Sequence, residues 1–521
     1  MFRQQIILWI FMGFWCAGCG SDDAKEASTD SDRSTESDTE TSTDAEGTDT
    51  ASTDTDSEED AGNGDDDSDG VLHSADNCPV TKNASQDDRD HNGTGDACEP
   101  VDLFAPRFQV TAYQKDQCSN GVTVLAVQGG EETFEAEGWL DFGYVAGFDM
   151  APNGTADNEI LPLWVFADSS SGPFSDVNLL PNGNLLTLRG SDAGAVLTEL
   201  DPVLGTDTVV YDDVLVNHST KRLPDGSTLF IYSEFFEDDI LGVDVDGDGI
   251  REIRRESARV VDADGNAIWD WSVHEQDPSA DATGNYLVFS EWWSNCNAVS
   301  FVPSVDWEEG QSLTGDVYLN CRLLDRLYKI NYPTGNIEWI MGNGGDFGEG
   351  FTYHSHDPEV SFDVDKDGKR ILTHILIYDN REKPPLGDGP ACPKDESCPA
   401  DIAPFSRVIQ VDVDNELNAE IVWKWPSVDL PNFNKLRFYS PIGGGVTKLE
   451  NGNLLITNAT EGGNPFMGEE CHARIIELKR DGTPTGGEIV WQLQASRYYG
   501  SYKAIRVPYE TVEGWDSTVS H

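Results

Sequence analysis

Leu180-Pro181-Asn182-Gly183-Asn184-Leu185, Leu223-Pro224-Asp225-Gly226-Ser227-Thr228 and Leu449-Glu450-Asn451-Gly452-Asn453-Leu454 are one phrase written three times. Asn-Gly and Asp-Gly supply the positive φ angles that two-residue hairpins need, and the flanking runs alternate apolar and polar residues as half-buried strands do. A second phrase is a strand ending in tryptophan: Gly265-Asn-Ala-Ile-Trp269, Gly335-Asn-Ile-Glu-Trp339, Ala419-Glu-Ile-Val-Trp423 and Gly487-Glu-Ile-Val-Trp491. Successive tryptophans stand within about 85 residues of one another, the size of a four-stranded blade plus its loops. Capped stretches with helical periodicity are nearly absent. The expectation is an all-β chain, a six-bladed β-propeller over residues 101–521, with the tryptophans packing the blades.

The segments before residue 101 have other compositions. Residues 1–18 read as an export signal, with Arg3, an apolar core from Ile6 to Trp15, and the ending Cys16-Ala17-Gly18-Cys19. That ending resembles the bacterial lipobox, with Cys16 where leucine is usual, and implies lipidation of Cys19. Gly20 after it, rather than Asp, points to an outer-membrane lipoprotein with a periplasmic or cell-surface face. Residues 19–64, rich in Ser, Thr, Asp and Glu, cannot bury a core and read as a disordered acidic tether. No later apolar run is long enough to span a bilayer.

The formal charge of −61 excludes nucleic acid as a partner, because phosphate contacts need a positive footprint. An anionic substrate would need a local basic pocket. Export implies an oxidising compartment in which cysteines pair. Cys392 and Cys398 bracket a short loop and are the readiest pair, followed by Cys78 and Cys98; Cys118, Cys296, Cys321 and Cys471 are left without assigned partners.

Residues 65–100 place Asp65, Asp67 and Asp69, then Asp88, Asp90 and Asn92, at positions 1, 3 and 5 of two loops, each with glycine at position 6. Such spacing wraps calcium, which prefers six to eight oxygen ligands. Asp76 and Glu99 fall at position 12 of the first and second loops, and Asp96 adds a carboxylate in the second. With Asp76-Asn77-Cys78-Pro79 and Gly95-Asp96-Ala97-Cys98, the stretch resembles the thrombospondin type 3 repeat. That resemblance implies a structural calcium module with little hydrophobic core. Asp244 to Gly249 and Asp363 to Gly368 also alternate aspartates, and there a charged hairpin and a calcium loop are equally good readings.

In a propeller the first residues of each innermost strand, and the last of the next, ring one mouth of the central channel. The hairpins place Ser175-Asp176, Asn217-His218, Asn295-Cys296-Asn297, His356-Asp357 and Tyr439-Ser440 there. Arg189, Glu234, Arg322, Asp379-Asn380-Arg381 and Asn458 to Thr460 return to it, and Tyr502-Lys503 lies on the last inner strand. Histidines, arginines and amides about one axis suit an oxyanion. His274, His354, His374 and His472 are read as structural.

From Tyr353-His-Ser-His356-Asp357, Val317 to Arg322, Asp379-Asn380 and Tyr502-Lys-Ala504, the chain resembles the bacterial aryl-sulfate sulfotransferases over roughly residues 105–510. The resemblance implies sulfuryl transfer from an aryl sulfate to a phenol through a sulfated histidine, with no nucleotide sulfate donor. By position, His356 matches the nucleophile, Arg322 the sulfate-holding arginine and His218 a second-blade histidine. The family's Trp-x-His-x-Asn is here Trp293-Ser-Asn295-Cys-Asn297, so Asn297 matches and Asn295 replaces a histidine. Two other classes stay open: a non-catalytic propeller that binds a ligand or partner, which the change at Asn295 favours, and a quinoprotein dehydrogenase.

Overall fold

The computed structural model describes residues 70–72, 75–76, 78–79, 108–128, 143–151, 158–160, 162–167, 174–190, 195–237, 252–280, 293–348, 351–381, 405–427, 438–462, 471–496, 499–512, 515 and 519–520. The chain divides into two compact units, 1–84 and 85–521. In the first, a turn closes from Ala75 N to Leu72 O (2.7 Å), and Asp76 Oδ1 accepts a hydrogen bond from Cys78 N (2.8 Å). Cys78 is buried and disulfide-bonded. The export signal, the tether, the Asp244 loop, Cys98, the Cys392–Cys398 pair and the calcium candidates other than Asp76 lie outside the described residues.

The second unit is nearly all β. In chain order its strands are β1 (Phe108–Tyr113), β2 (Val122–Gln128), β3 (Gly143–Phe148), β4 (Glu159–Ile160), β5 (Trp164–Ala167), β6 (Phe174–Leu179), β7 (Leu185–Arg189), β8 (Ala195–Asp201) and β9 (Thr206–Arg222). There follow β10 (Thr228–Glu237), β11 (Glu252–Val261), β12 (Ala267–Ser272), β13 (Cys296–Pro303), β14 (Gly315–Cys321), β15 (Arg326–Tyr332), β16 (Ile337–Gly342), β17 (His356–Val364), β18 (Arg370–Asp379), β19 (Arg407–Asp414) and β20 (Ala419–Trp425). The last are β21 (Gly445–Lys448), β22 (Leu454–Glu461), β23 (His472–Lys479), β24 (Glu488–Ala495), β25 (Gly500–Val507) and β26 (Val519–Ser520).

The arrangement is propeller-like, but with four regular blades rather than the six expected. β9–β12, β13–β16, β17–β20 and β21–β24 are each an antiparallel meander in chain order. The remaining strands do not form two more separate blades. β9 runs 17 residues without a break and pairs with both β8 and β10, which fuses β6–β8 into a seven-stranded sheet. The closing sheet, β25-β2-β3-β5-β26, mixes strands from both ends of the unit and includes the parallel pair β26–β5. A local repeat cannot reveal a sheet assembled from distant segments, and that is why the regular count failed. β9, β13, β17 and β21 line the axis together with β6 and β25.

Each tryptophan phrase is the outer strand of one regular blade: Trp269 on β12, Trp339 on β16, Trp423 on β20 and Trp491 on β24. In each of these outer strands a β-bulge falls immediately before the tryptophan, at Ile268, Glu338, Val422 and Val490. Trp269 Nε1 donates to Pro333 O (3.1 Å), Trp423 Nε1 to Gly486 O (3.0 Å) and Trp491 Nε1 to Met150 O (2.9 Å). These bonds bind one sheet to the next and satisfy indole groups that would be costly to bury unpaired.

The three hairpins form where the sequence puts them, with a different turn. In each, the leucine carbonyl accepts from the glycine N–H three residues on, as at Leu180 and Gly183 (2.9 Å). Only the glycine takes a positive φ, +90° at Gly183, so the turn is type I followed by a bulge rather than a two-residue loop. Asp363 to Gly368 closes the same way, Asp365 Oδ1 accepting Asp367 N and Lys369 N (both 2.9 Å). Asp363 faces His374 Nε2 at 3.3 Å.

Candidate active site

β17 begins at His356, and the turn before it is clamped from three directions. Asp325 Oδ1 accepts from His354 N (2.7 Å), and Asp379 Oδ1 accepts from Tyr353 N (2.7 Å). Asp379 Oδ2 is itself held by Arg381 Nη1 (3.0 Å) and Arg407 Nε (2.9 Å), all three buried. Arg407 Nη2 donates to Phe351 O (3.3 Å). His354 at +54° and Asp357 at +44° have left-handed φ, as do His218 (+56°), Asn295 (+45°) and Arg381 (+57°) at the same mouth. Such conformations are costly for residues with a Cβ, and they persist where surrounding contacts over-determine them.

His356 is buried, and its Nδ1 lies 2.6 Å from Asn380 Oδ1. The Asn380 amide is oriented by its other end, where Nδ2 donates to Ser440 O (2.9 Å) and Gly443 O (2.7 Å). Its oxygen must therefore face the imidazole as an acceptor. That fixes the proton on Nδ1 and leaves the lone pair on Nε2. Burial, then the nearby Arg322 guanidinium, pull His356 down to about 3, against the opposing pull of Asn380. The ring is neutral at physiological pH.

Tyr502 joins the two histidines expected at the axis. Its ring lies 5.8 Å from His218, nearly stacked, and 5.9 Å from His356, edge on. Its hydroxyl donates to Asn297 O (3.3 Å). His218 and His356 thus share one side of the channel. Arg322 follows β14, with its N–H on Asn295 O (2.9 Å). Burial lowers its pKa, against the counter-charge of Asp325 and the nearby hydroxyls of Tyr502, Tyr353 and Tyr439. Asp325 is pushed up to about 7 by burial and by Asp379, with Arg322 and Arg381 opposing.

The disulfide Cys296–Cys321 ties β13 to β14 and is flanked by Asn295, Asn297 and Arg322. Asn297 has a positioning task. Its Nδ2 donates to Ser355 O (2.9 Å), its Oδ1 accepts from Asn320 Nδ2 (2.8 Å), and Asn320 reaches Ser355 O as well (2.6 Å). The pair holds the residue next to His356.

Other mouth residues serve the framework. Arg189 pairs with Asp207 (2.7 Å), and Asn458 bonds Tyr378 Oη (2.5 Å) and Glu461 (2.8 Å). Glu234 is exposed. His354, read from sequence as structural, is buried against Tyr353 at 4.2 Å, its pKa lowered by burial and by Arg322. The roles of Asn380, Asp379 and Asp325 were not assigned from sequence. The Asp379-Asn380-Arg381 run, returning to the mouth, signalled the first two, and nothing in the sequence signalled Asp325.

A family model described as Arylsulfotransferase (ASST) matches residues 164–503. The chain belongs to the arylsulfotransferase family, and membership supports a sulfotransferase that uses aryl sulfates and phenols. No curated protein matches the chain. Among solved structures, TolB from Acinetobacter baumannii is 10% identical over 74% of this chain and 68% of its own, with a TM-score of 0.35. An oligogalacturonate lyase in complex with manganese is 11% identical over 75% and 96%, with a TM-score of 0.30. These likenesses are too distant to carry an argument about fold or site.

Proposed function

We propose that the protein moves a sulfuryl group from an aryl sulfate to a phenolic acceptor through a sulfohistidine on His356, without a nucleotide donor. The observation that carries this reading is the Asn380 lock, which aims the lone pair of a neutral His356 away from its anchor. In the first step Nε2 attacks sulfur, the N–S bond forms, and the S–O bond to the aryl group breaks, releasing a phenolate. Arg322 balances charge on the sulfuryl oxygens. His218 supplies a proton to the phenolate. In the second step the acceptor phenol gives its proton to His218, its oxygen attacks sulfur, and the N–S bond breaks. Donor and acceptor use one pocket in turn.

Asn295 cannot carry charge or a proton, so the chain lacks one histidine of its family's pattern. This favours a second reading, a propeller that binds an aryl sulfate without turning it over. Purified protein given a chromogenic aryl sulfate and a phenol separates the two. Release of the chromogen that depends on acceptor supports transfer; binding without release supports the second reading.

The proposal also places the chain on the outer membrane through lipidated Cys19, with calcium in the 65–100 module. Asp65, Asp67, Asp69 and Asp76 would hold one ion; Asp88, Asp90, Asn92 and Asp96 would hold the other. The all-oxygen donor set suits calcium. Cys19→Ser should release the protein from membranes. Chelation should increase proteolysis within 65–100 and leave the propeller's melting unchanged; loss of propeller structure would count against a separate module.

A further inference from the structure

A cavity of about 400 Å³ lies on the axis behind His356, and no step of the transfer uses it. It starts at Asp357, the residue after His356, and extends to Lys448 and Pro508 at the far ends of β21 and β25. It therefore approaches the axis from the end of the channel opposite the histidine mouth. Lys221, Lys448, Lys503 and Arg506 line it beside Asp357, Glu359 and Glu450, so cations outnumber carboxylates there in a chain of net charge −61.

Two of these lysines converge. Lys221 Nζ donates to Asn178 Oδ1 at 3.0 Å and Lys503 Nζ to the same oxygen at 3.2 Å. Two of the nearby carboxylates pair with Lys503 itself. Asp357 and Asp176 lie 3.6 Å and 3.4 Å from Lys503, and Asp176 also accepts from Thr220 N (2.8 Å) and Asn178 Nδ2 (2.9 Å). Both oxygens of Glu359 accept from Lys448 N, at 3.1 and 3.0 Å. Among the described residues no carboxylate pairs directly with Lys221. Lys221 therefore shares one neutral amide oxygen with the Lys503 ammonium and has no directly paired carboxylate of its own, and an anion beside it would supply that counter-charge.

We propose that this axial cavity is a second anion site, taking a small oxyanion such as sulfate between Lys221 and Lys503. The electrostatics agree: burial, then the Lys503 ammonium, lower Lys221 from the ordinary lysine value, against Asp357 and Asp176. The site is independent of sulfuryl transfer at His356 and stands whether or not that transfer occurs.

The test is competitive acetylation of lysines, read by mass spectrometry on the intact chain, with sulfate, phosphate or acetate against chloride at constant ionic strength. Sulfate should slow acetylation of Lys221 severalfold while leaving the exposed Lys366 unchanged. Equal protection by phosphate or acetate keeps the site and widens its ligand class. Protection by chloride to the same extent, or none by sulfate, overturns it. Because sulfate also suits the His356 mouth, calorimetry is done on Arg322→Ala protein. Adding Lys221→Met should weaken the remaining sulfate affinity about tenfold, the effect of one charge-assisted hydrogen bond. Unchanged affinity in a folded double variant overturns the proposal. If that variant does not fold, the acetylation result decides.

Discussion

Asn380 holds His356 by a single contact, Nδ1 to Oδ1 at 2.6 Å, and is itself held by two backbone carbonyls of another blade. The orientation of the His356 imidazole is therefore set by Ser440 and Gly443, which lie 60 and 63 residues beyond Asn380 in the chain. Asn380→Ala should lower kcat on the order of 10²-fold, since it frees both the tautomer and the ring angle, and should also lower the melting temperature, since it leaves the buried carbonyls of Ser440 and Gly443 without their donor. Asn380→Asp should act differently. A carboxylate at Oδ1 favours imidazolium, so activity should fall and then recover partly as pH rises. Equal loss at every pH in both variants would show that Asn380 fills space and does not select a tautomer.

The depressed pKa of His356 has a sign that can be checked twice. With the group neutral above about 3, kcat/KM should show no acid limb from the nucleophile between pH 4 and 8. An ordinary histidine would give a tenfold fall per unit below about 6.5. For stability, the folded pKa lies below the unfolded one, so the unfolded chain binds more protons. The contribution is fully present above about 6.5 and is lost as pH falls toward about 3, by up to about 1.4 kcal/mol per unit. Thermal melts of wild type and His356→Ala should therefore converge or cross on going from pH 7 to pH 5. Parallel melting curves would place the histidine in solvent.

Cys296–Cys321 closes a segment with a sequence separation of 25 and lies beside Arg322, Asn295 and Asn297. Chain-entropy arguments give about 3 kcal/mol for such a loop. Replacing both cysteines with alanine should lower the melting temperature by several degrees. It should also raise KM for the aryl sulfate, because β13 and β14 would then position Arg322 and Asn297 independently. A stability loss with unchanged KM would assign the bond to the fold alone.

The parts legible in the sequence were those with local signatures. Glycine turns and Gly-x-x-x-Trp strands located the hairpins and the outer strands of all four regular blades, because each depends on residues within a few positions of one another. The strand order also brought His218 and His356 to one side. The blade count failed at β9 and at the closing sheet, where continuity and long-range pairing decide. Asn297 stands at the mouth as expected, and its hydrogen bonds to Asn320 and Ser355 come from residues distant in the chain that leave no spacing to read. His354, read as structural, is buried in the turn that Asp325 and Asp379 clamp beside His356, and a lone histidine carries no sequence sign of such burial.

The sulfohistidine is the point on which the transfer reading turns. Incubation with an aryl sulfate and no acceptor should leave a sulfuryl group on His356, seen as added mass that disappears when a phenol is supplied. His356→Ala should abolish both adduct and turnover and keep the fold. Arg322→Ala should slow adduct formation and decay together, by about 10² to 10³-fold, since one guanidinium faces the same sulfuryl oxygens in both steps. Loss of only one step would place Arg322 on the aryl group instead. Asn295→His then asks what the missing family histidine would add. If wild type forms the adduct but discharges it slowly, the substitution should speed the second step, because a proton acceptor is restored at the mouth. A wild type and a His356→Ala variant that turn over equally well would remove His356 as the nucleophile.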